Sequence, residues 1–268
     1  MLRLLGHRQD ADDLIDICLR EKWDRLESAL FSGLSGIGLN LLHAGRTDLA
    51  LLAVDICAGR LSGPVSEISG GANPRAGLLY GSSGPALLFL HAYEHTGDPA
   101  LLDLAATALR QDLRRCRRSE DGSLQVNQGW RLLPYLDEGS AGIALVLERY
   151  LAHRHDEAFA TALAELRLVA RAGFFVQSGL FTGRAGIVAA FPGDAHDQVK
   201  GLRWHALPYG GGLAFPGDQL LRLSMDFATG TAGVLFALGA VLGDQPGRLP
   251  FLEAAPERPT SDETWKEV

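Results

Sequence analysis

Two kinds of apolar pattern take turns along the chain. The first is apolar at almost every position, as in Pro85 to Tyr93 and Ile143 to Leu151, and predicts helices buried on most sides. The second is one-faced. Its clearest example opens on Asp98 as N-cap with Pro99 at the first helical position, then carries Leu101, Leu102, Leu104, Ala105, Leu109 and Leu113. Two stretches, Ser123 to Leu136 and Phe174 to Phe181, fit neither pattern and predict a long loop or a short hairpin at a rim. The uncharged run from Phe227 to Gly243 spans 17 residues rich in glycine and alanine. That is short of a membrane span and predicts a buried core helix. Beyond Gly243 proline and glutamate accumulate, which predicts docking of Leu249 to Leu252 and then a disordered tail, so that the folded domain covers residues 1–252 and the tail 253–268.

The buried helices share a beginning. Five segments align without gaps: Gly33-Leu-Ser-Gly36-Ile, Gly81-Ser-Ser-Gly84-Pro, Gly139-Ser-Ala-Gly142-Ile, Gly183-Arg-Ala-Gly186-Ile and Gly230-Thr-Ala-Gly233-Val. Leu41, Phe89, Leu147, Phe191 and Leu238 stand eight positions after the first glycine of each, so the repeated word is G-x-[SA]-G-[IVP]-x-x-x-[LF]. Successive words start 48, 58, 44 and 47 residues apart, room for two helices and two loops per unit. Repeated pairs of a buried and a one-faced helix predict an all-α fold with an inner and an outer ring, an α/α toroid. Small residues at the inner helix starts let backbones converge, and pooled helix N-termini give one mouth of the ring a positive dipole potential.

Composition narrows the partners. Glycine is 32 of 268 residues with no collagen-like period, so the excess belongs to particular backbone positions. A formal charge of -7 argues against nucleic acid or an anionic membrane as the main partner. Arg110, Arg114, Arg115, Arg117 and Arg118 form a local exception, read as a solvated helix end or a peptide-docking patch. Cys18, Cys57 and Cys116 are odd in number and far apart, which suits a reducing, cytoplasmic compartment; all three read as helix residues. No export signal is visible at the N-terminus.

Longer words add a resemblance. Gly77-Leu-Leu-Tyr-Gly-Ser-Ser-Gly-Pro-Ala-Leu-Leu-Phe-Leu90, Thr96-Gly-Asp-Pro99, Leu133-Pro-Tyr-Leu136, Gly179-Leu-Phe-Thr-Gly-Arg-Ala-Gly186, Trp204-His-Ala-Leu-Pro208 and Ala214-Phe-Pro-Gly-Asp-Gln-Leu-Leu-Arg-Leu-Ser-Met-Asp226 resemble the LanC-like superfamily of lanthionine cyclases. They are most similar to the C-terminal cyclase-like domain of class III lanthipeptide synthetases, from Phe31 to Leu252. The resemblance implies an α/α toroid with seven glycine motifs, of which five are present here. Met1 to Gly6 then read as the end of a helix, with the first two helix pairs missing. Zinc-dependent members carry a cysteine two residues before the fifth family motif and a Cys-His pair before the sixth; here those places hold Asp137 and Phe181-Thr182. Sulfur and imidazole ligands are absent from them, so no zinc and no other cofactor is expected. Kinase and lyase parts are not visible either, Asp226-Phe-Ala not being the Asp-Phe-Gly of a kinase.

What the resemblance implies is addition of a peptide cysteine thiol to dehydroalanine or dehydrobutyrine in a ribosomal precursor peptide, with the kinase and lyase parts of a synthetase as further partners. The alternative is a non-catalytic precursor-binding or scaffold module. An addition without zinc needs a base for the thiol, a stabiliser for the enolate and an acid for the α-carbon. Tyr80 holds the place of a histidine acid of zinc-dependent cyclases, or is a buried, hydrogen-bonded tyrosine. Asp137 and Glu138 could supply a base, or cap the helix that follows. His205 is the best-placed titratable group if its loop folds over the mouth, Arg184 could hold a carboxylate or enolate or tie two helices together, and Asp226 could serve the site or join helices. His91, Glu94 and His95 spell H-x-x-E-H, but their place at a helix end predicts exposure to water and no metal. An α/α-toroid glycosidase would need two carboxylates facing across a cleft, and Asp137 with Glu138 offers no opposing partner.

Overall fold

Glycine decides where the inner helices begin. In the computed structural model, which describes residues 6–20, 22–62, 67–69, 74–243 and 249–252, each glycine word opens a helix. These are α2 (Leu34–His43), α4 (Ser83–Thr96), α6 (Ser140–His153), α8 (Arg184–Ala190) and α10 (Thr231–Leu242). Gly33, Gly139, Gly183 and Gly230 are the N-caps of four of them, in extended backbone. The second glycine of each word lies against backbone. A Cβ on Gly36, Gly142, Gly186 or Gly233 would overlap the carbonyl oxygen of Leu30, Leu136, Leu180 or Phe227 respectively. Close approach, and not a positive φ, is what these glycines supply.

The inner helices pack in chain order, α2 on α4, α4 on α6, α6 on α8 and α8 on α10. Each of the first four is backed by the helix that follows it: α3 (Thr47–Ser62), α5 (Ala100–Leu113), α7 (Glu157–Arg167) and α9 (His196–Leu202). A further helix, α1 (Arg8–Leu19), precedes them. Leu87, Leu88, Phe89 and Leu90 on α4 are wholly buried, as the all-round apolar pattern requires. Each such side chain contributes about 1.5–3 kcal/mol by leaving water. The described residues are therefore mostly helical, and none of their helices is long and apolar enough to cross a membrane. The tail 253–268 and Met1 to Leu5 lie outside the described residues. Leu249 is buried, and Phe251 packs its ring on His43 and His91, so the docking expected for Leu249 to Leu252 is present.

Two small antiparallel sheets interrupt the helices. The first joins β1 (Cys116–Arg118), β2 (Leu124–Asn127) and β3 (Leu132–Leu133), with Cys116 opposite Val126 and Val126 opposite Leu133. The second is the hairpin of β4 (Leu207–Tyr209) and β5 (Gly212–Ala214), turned by Gly210 and Gly211, both at positive φ as a two-residue hairpin turn requires. Ser123 to Leu136 is thus largely hairpin, whereas Phe174 to Phe181 is irregular. One expectation changes here. Cys116, Arg117 and Arg118 are on a strand and not on a helix, because α5 stops at Leu113 and the chain turns back through Ser119 to Ser123. The arginines stay mostly exposed and are ion-paired as well: Arg110 with Asp156, Arg114 and Arg115 with Glu67, and Arg118 with Glu165. Asp98 caps the next helix as its sequence suggests: Pro99 has helical backbone angles and the Ala100 N–H donates to Asp98 Oδ1 at 2.9 Å.

Candidate functional site at the motif turns

The turns that lead into the inner helices are tied to one another by backbone hydrogen bonds. Phe31 N–H donates to Leu79 O (3.0 Å), Leu79 N–H to Asp137 O (2.9 Å), Asp137 N–H to Phe181 O (3.1 Å) and Phe181 N–H to Ala228 O (3.0 Å). All five residues stand two places before the first glycine of their word, so the repeat extends upstream of the glycines. The residue before each of them, Leu30, Leu78, Leu136, Leu180 or Phe227, is the one whose carbonyl the second glycine touches. This ladder brings the turns to one face of the inner helices and sets Asp137 beside Phe181 and Thr182.

Arg75 organises that face, and nothing in the sequence pattern singled it out. Its Nε donates to Glu138 Oε1 at 2.9 Å and its Nη2 to Oε2 of the same carboxylate. The guanidinium carbon lies 3.7 Å from the centroid of the Tyr80 ring, whose other neighbour is Phe31 at 5.6 Å between centroids. Tyr80 is half-buried and stacked, not a buried tyrosine held by a hydrogen bond. Glu138 does not cap α6; Gly139 does, while Glu138 fixes Arg75. Burial pushes the Asp137 carboxyl up to about 6, reinforced by the charge of Glu138 and opposed by Arg75. Tyr80, Asp137 and Glu138 therefore share one cluster, with Arg75 as its missed member.

A buried acid holds the same face from behind. Asp112 on α5 accepts from the N–H groups of Gly77 (3.0 Å), Ser82 (2.9 Å) and Ser83 (2.8 Å) and from Ser83 Oγ (2.6 Å). It satisfies donors at the start of α4, so an outer helix caps an inner one. Asp112 stands three residues after Leu109 on the apolar face of α5, which is the signal that could have revealed it.

Arg184 and His205 lie apart from this cluster, lining a cavity of about 460 Å³ whose walls do not include Tyr80, Asp137 or Glu138. His205 is held below the usual imidazole range by burial and by the nearby Arg184 charge. Asp226 joins no helices: it accepts from Thr229 N–H (2.7 Å) and from Ser224 Oγ inside its own turn, which keeps its carboxyl ionised below the usual range. Of the H-x-x-E-H residues, His95 is exposed as its place at a helix end suggests, whereas His91 and Glu94 are not. Glu94 takes a bidentate pair from Arg149 and a contact from His153 at 2.7 Å, all three side chains nearly buried, and His91 Nε2 lies 2.8 Å from Phe251 O. Packing of α6 against α4 supplies the arginine that makes this burial affordable.

Among the described residues no three His, Cys, Asp or Glu side chains converge as metal ligands. At the zinc places of the resembled family, one carboxylate, a phenyl ring and a hydroxyl do not fit a thiolate-seeking ion. No family model matches the chain. A curated protein of Streptomyces coelicolor named probable SapB synthase is 48% identical over 272 residues, covering 94% of this chain. The chain spans 29% of the length of that relative. Over nearly its whole length, then, the chain is similar to a segment amounting to less than a third of a synthase.

Proposed function

We propose that the chain is the zinc-independent, cyclase-like part of a lanthipeptide synthetase, built as five units of an α/α toroid and acting on a dehydrated precursor peptide. The observation that carries this reading is Asp137, a carboxyl raised to about 6 and set beside Arg75 on the face formed by the motif turns. The similarity to a probable SapB synthase supports it. In the reaction, Asp137 takes the proton of a peptide cysteine and the sulfur bonds to the β-carbon of dehydroalanine or dehydrobutyrine. The alkene electron pair moves onto the substrate carbonyl as an enolate, and a proton then returns to the α-carbon. Raising the carboxyl from 3.8 to about 6 makes it roughly a hundredfold stronger base toward a thiol with pKa near 8.5. Arg75, held by Glu138, supplies the positive charge that favours both thiolate and enolate. Tyr80 is the acid candidate, its ring fixed under the Arg75 guanidinium.

Purified chain mixed with a dehydrated, cysteine-containing peptide should speed loss of free thiol and yield a thioether ring. No acceleration over buffer overturns the catalytic reading. Saturable binding of the same peptide without ring formation would instead establish the precursor-binding module.

A further inference from the structure

The cavity away from the motif turns is built around an arginine without an acid. Arg184, 5% exposed, donates from Nη1 to Gln198 Oε1 (2.7 Å) and from Nη2 to Gly173 O (3.2 Å), while its buried Nε–H meets no acceptor among the described residues. Both partners are neutral, and its pKa is moved by burial alone, downward, with no carboxylate to hold it up. A buried guanidinium with only neutral partners is costly, so the fold must gain from keeping it. The site is also shaped for it. A Cβ on Gly201 would overlap the Arg184 guanidinium, and Gln198, which positions Arg184, is itself fixed by the carbonyls of Ala170 (2.8 Å) and Ala172 (2.7 Å).

We infer that this cavity binds a carboxylate borne by a peptide, with Arg184 as its anchor and Trp204 and Phe174 holding the apolar group beside it. The volume of about 460 Å³ suits one or two residues. Asp197 in the wall is engaged by Lys200 at 3.6 Å and Arg171, also in the wall, is exposed, so the buried charge left to compensate is the one on Arg184. A planar carboxylate monoanion matches the donor fork of that guanidinium. Trp204 and Phe174, 89% and 78% exposed, line the cavity with rings left open to a ligand's apolar group. The inference does not rest on thioether chemistry, and its test contains no thiol.

Calorimetric titration of the full chain with N-acetyl-phenylalanine, with its primary amide and with N-acetyl-aspartyl-phenylalanine amide tests it. One or both acids should bind saturably and the amide at least tenfold more weakly. The first acid stands for a chain terminus and the second for an acidic side chain, so either one alone sustains the inference and names the source. Trp204→Ala, which removes only an exposed ring, should weaken the acid several-fold. Arg184→Lys should lose the preference for acid over amide, its folding being checked by thermal melting. Equal affinity for acid and amide, no saturable binding at millimolar concentration, or an unchanged Trp204→Ala variant overturns it.

Discussion

Adding one methyl group at Gly142 should destabilise the chain far more than at a helical glycine elsewhere. A Cβ there would overlap Leu136 O and stand 2.7 Å from Leu78 Cβ, inside the 3.0 Å below which real contacts are not found. Relief requires the Leu136 turn to retreat by about 1 Å, but that turn is held by Leu136 N–H and Asp137 N–H donating to Phe181 O and by Leu79 N–H donating to Asp137 O. Overpacking of a dense core costs about 1–3 kcal/mol. Straining two ladder bonds adds about 1 kcal/mol each, so Gly142→Ala should lose roughly 3–5 kcal/mol. Gly59 on α3 and Gly239 on α10 have nothing within 4 Å of a built Cβ, and alanine there should gain about 0.5–1 kcal/mol through helix propensity. Urea denaturation followed by circular dichroism reads both signs. A Gly142→Ala variant within 0.5 kcal/mol of wild type, or a Gly59→Ala variant that loses as much, would refute the close-approach account.

Other outcomes follow from the same geometry. Asp137→Asn should lower the rate of peptide thiol loss by about a hundredfold and remove the rise in rate that wild type shows as pH passes about 6, measured by thiol titration over a pH series. Arg149→Ala strands the Glu94 carboxylate between α4 and α6 and should lose about 3–5 kcal/mol in urea denaturation, part of which Glu94→Ala in the same chain should restore. His91 is driven down to about 4 by burial and by Arg149, so the unfolded chain takes up its proton first and the stability it provides is lost as pH falls from about 6.5 toward 4. Subtracting the pH dependence of a His91→Gln variant, followed by melting temperature, isolates this slope from Asp112 and Asp137, whose raised values act in the opposite direction.

The inner helices were legible because glycine at a crowded backbone contact has no substitute, and five repetitions make the constraint visible. The burial of α4 and α6 followed from the same logic, since a helix packed on both sides has no polar face to show, whereas α10, equally apolar and expected to be buried, leaves Leu235 and Leu242 exposed. The ladder left no comparable trace. It runs through N–H and C=O groups at Phe31, Leu79, Asp137, Phe181 and Ala228, whose side chains range from a phenyl ring to a carboxylate. Arg75 was unreadable for another reason: it meets Glu138 across 63 residues of chain, with no periodicity to point at it. Tyr80, Asp137 and Glu138, singled out by their adjacency to glycine words, lie together, whereas Arg184 and Asp226, singled out by the same rule, lie elsewhere. Arg184 turns back toward α9, and Asp226 spends its carboxylate on its own turn. Glu94 was misjudged because exposure was inferred from its place near a helix end, although α6 brings Arg149 over it.

Because the ladder uses only main-chain atoms, it separates the part of each turn that holds the architecture from the side chains that the turn displays. An aromatic ring, an aliphatic chain, a carboxylate and a methyl group occupy equivalent rungs without disturbing them. Such a frame works like a rack of interchangeable sockets: chemistry at the face can be exchanged one residue at a time while the spacing between neighbouring sockets stays fixed. Inheritance of the frame and inheritance of the activity are then separate matters, and two chains can share every rung while differing in what they do to a bound peptide.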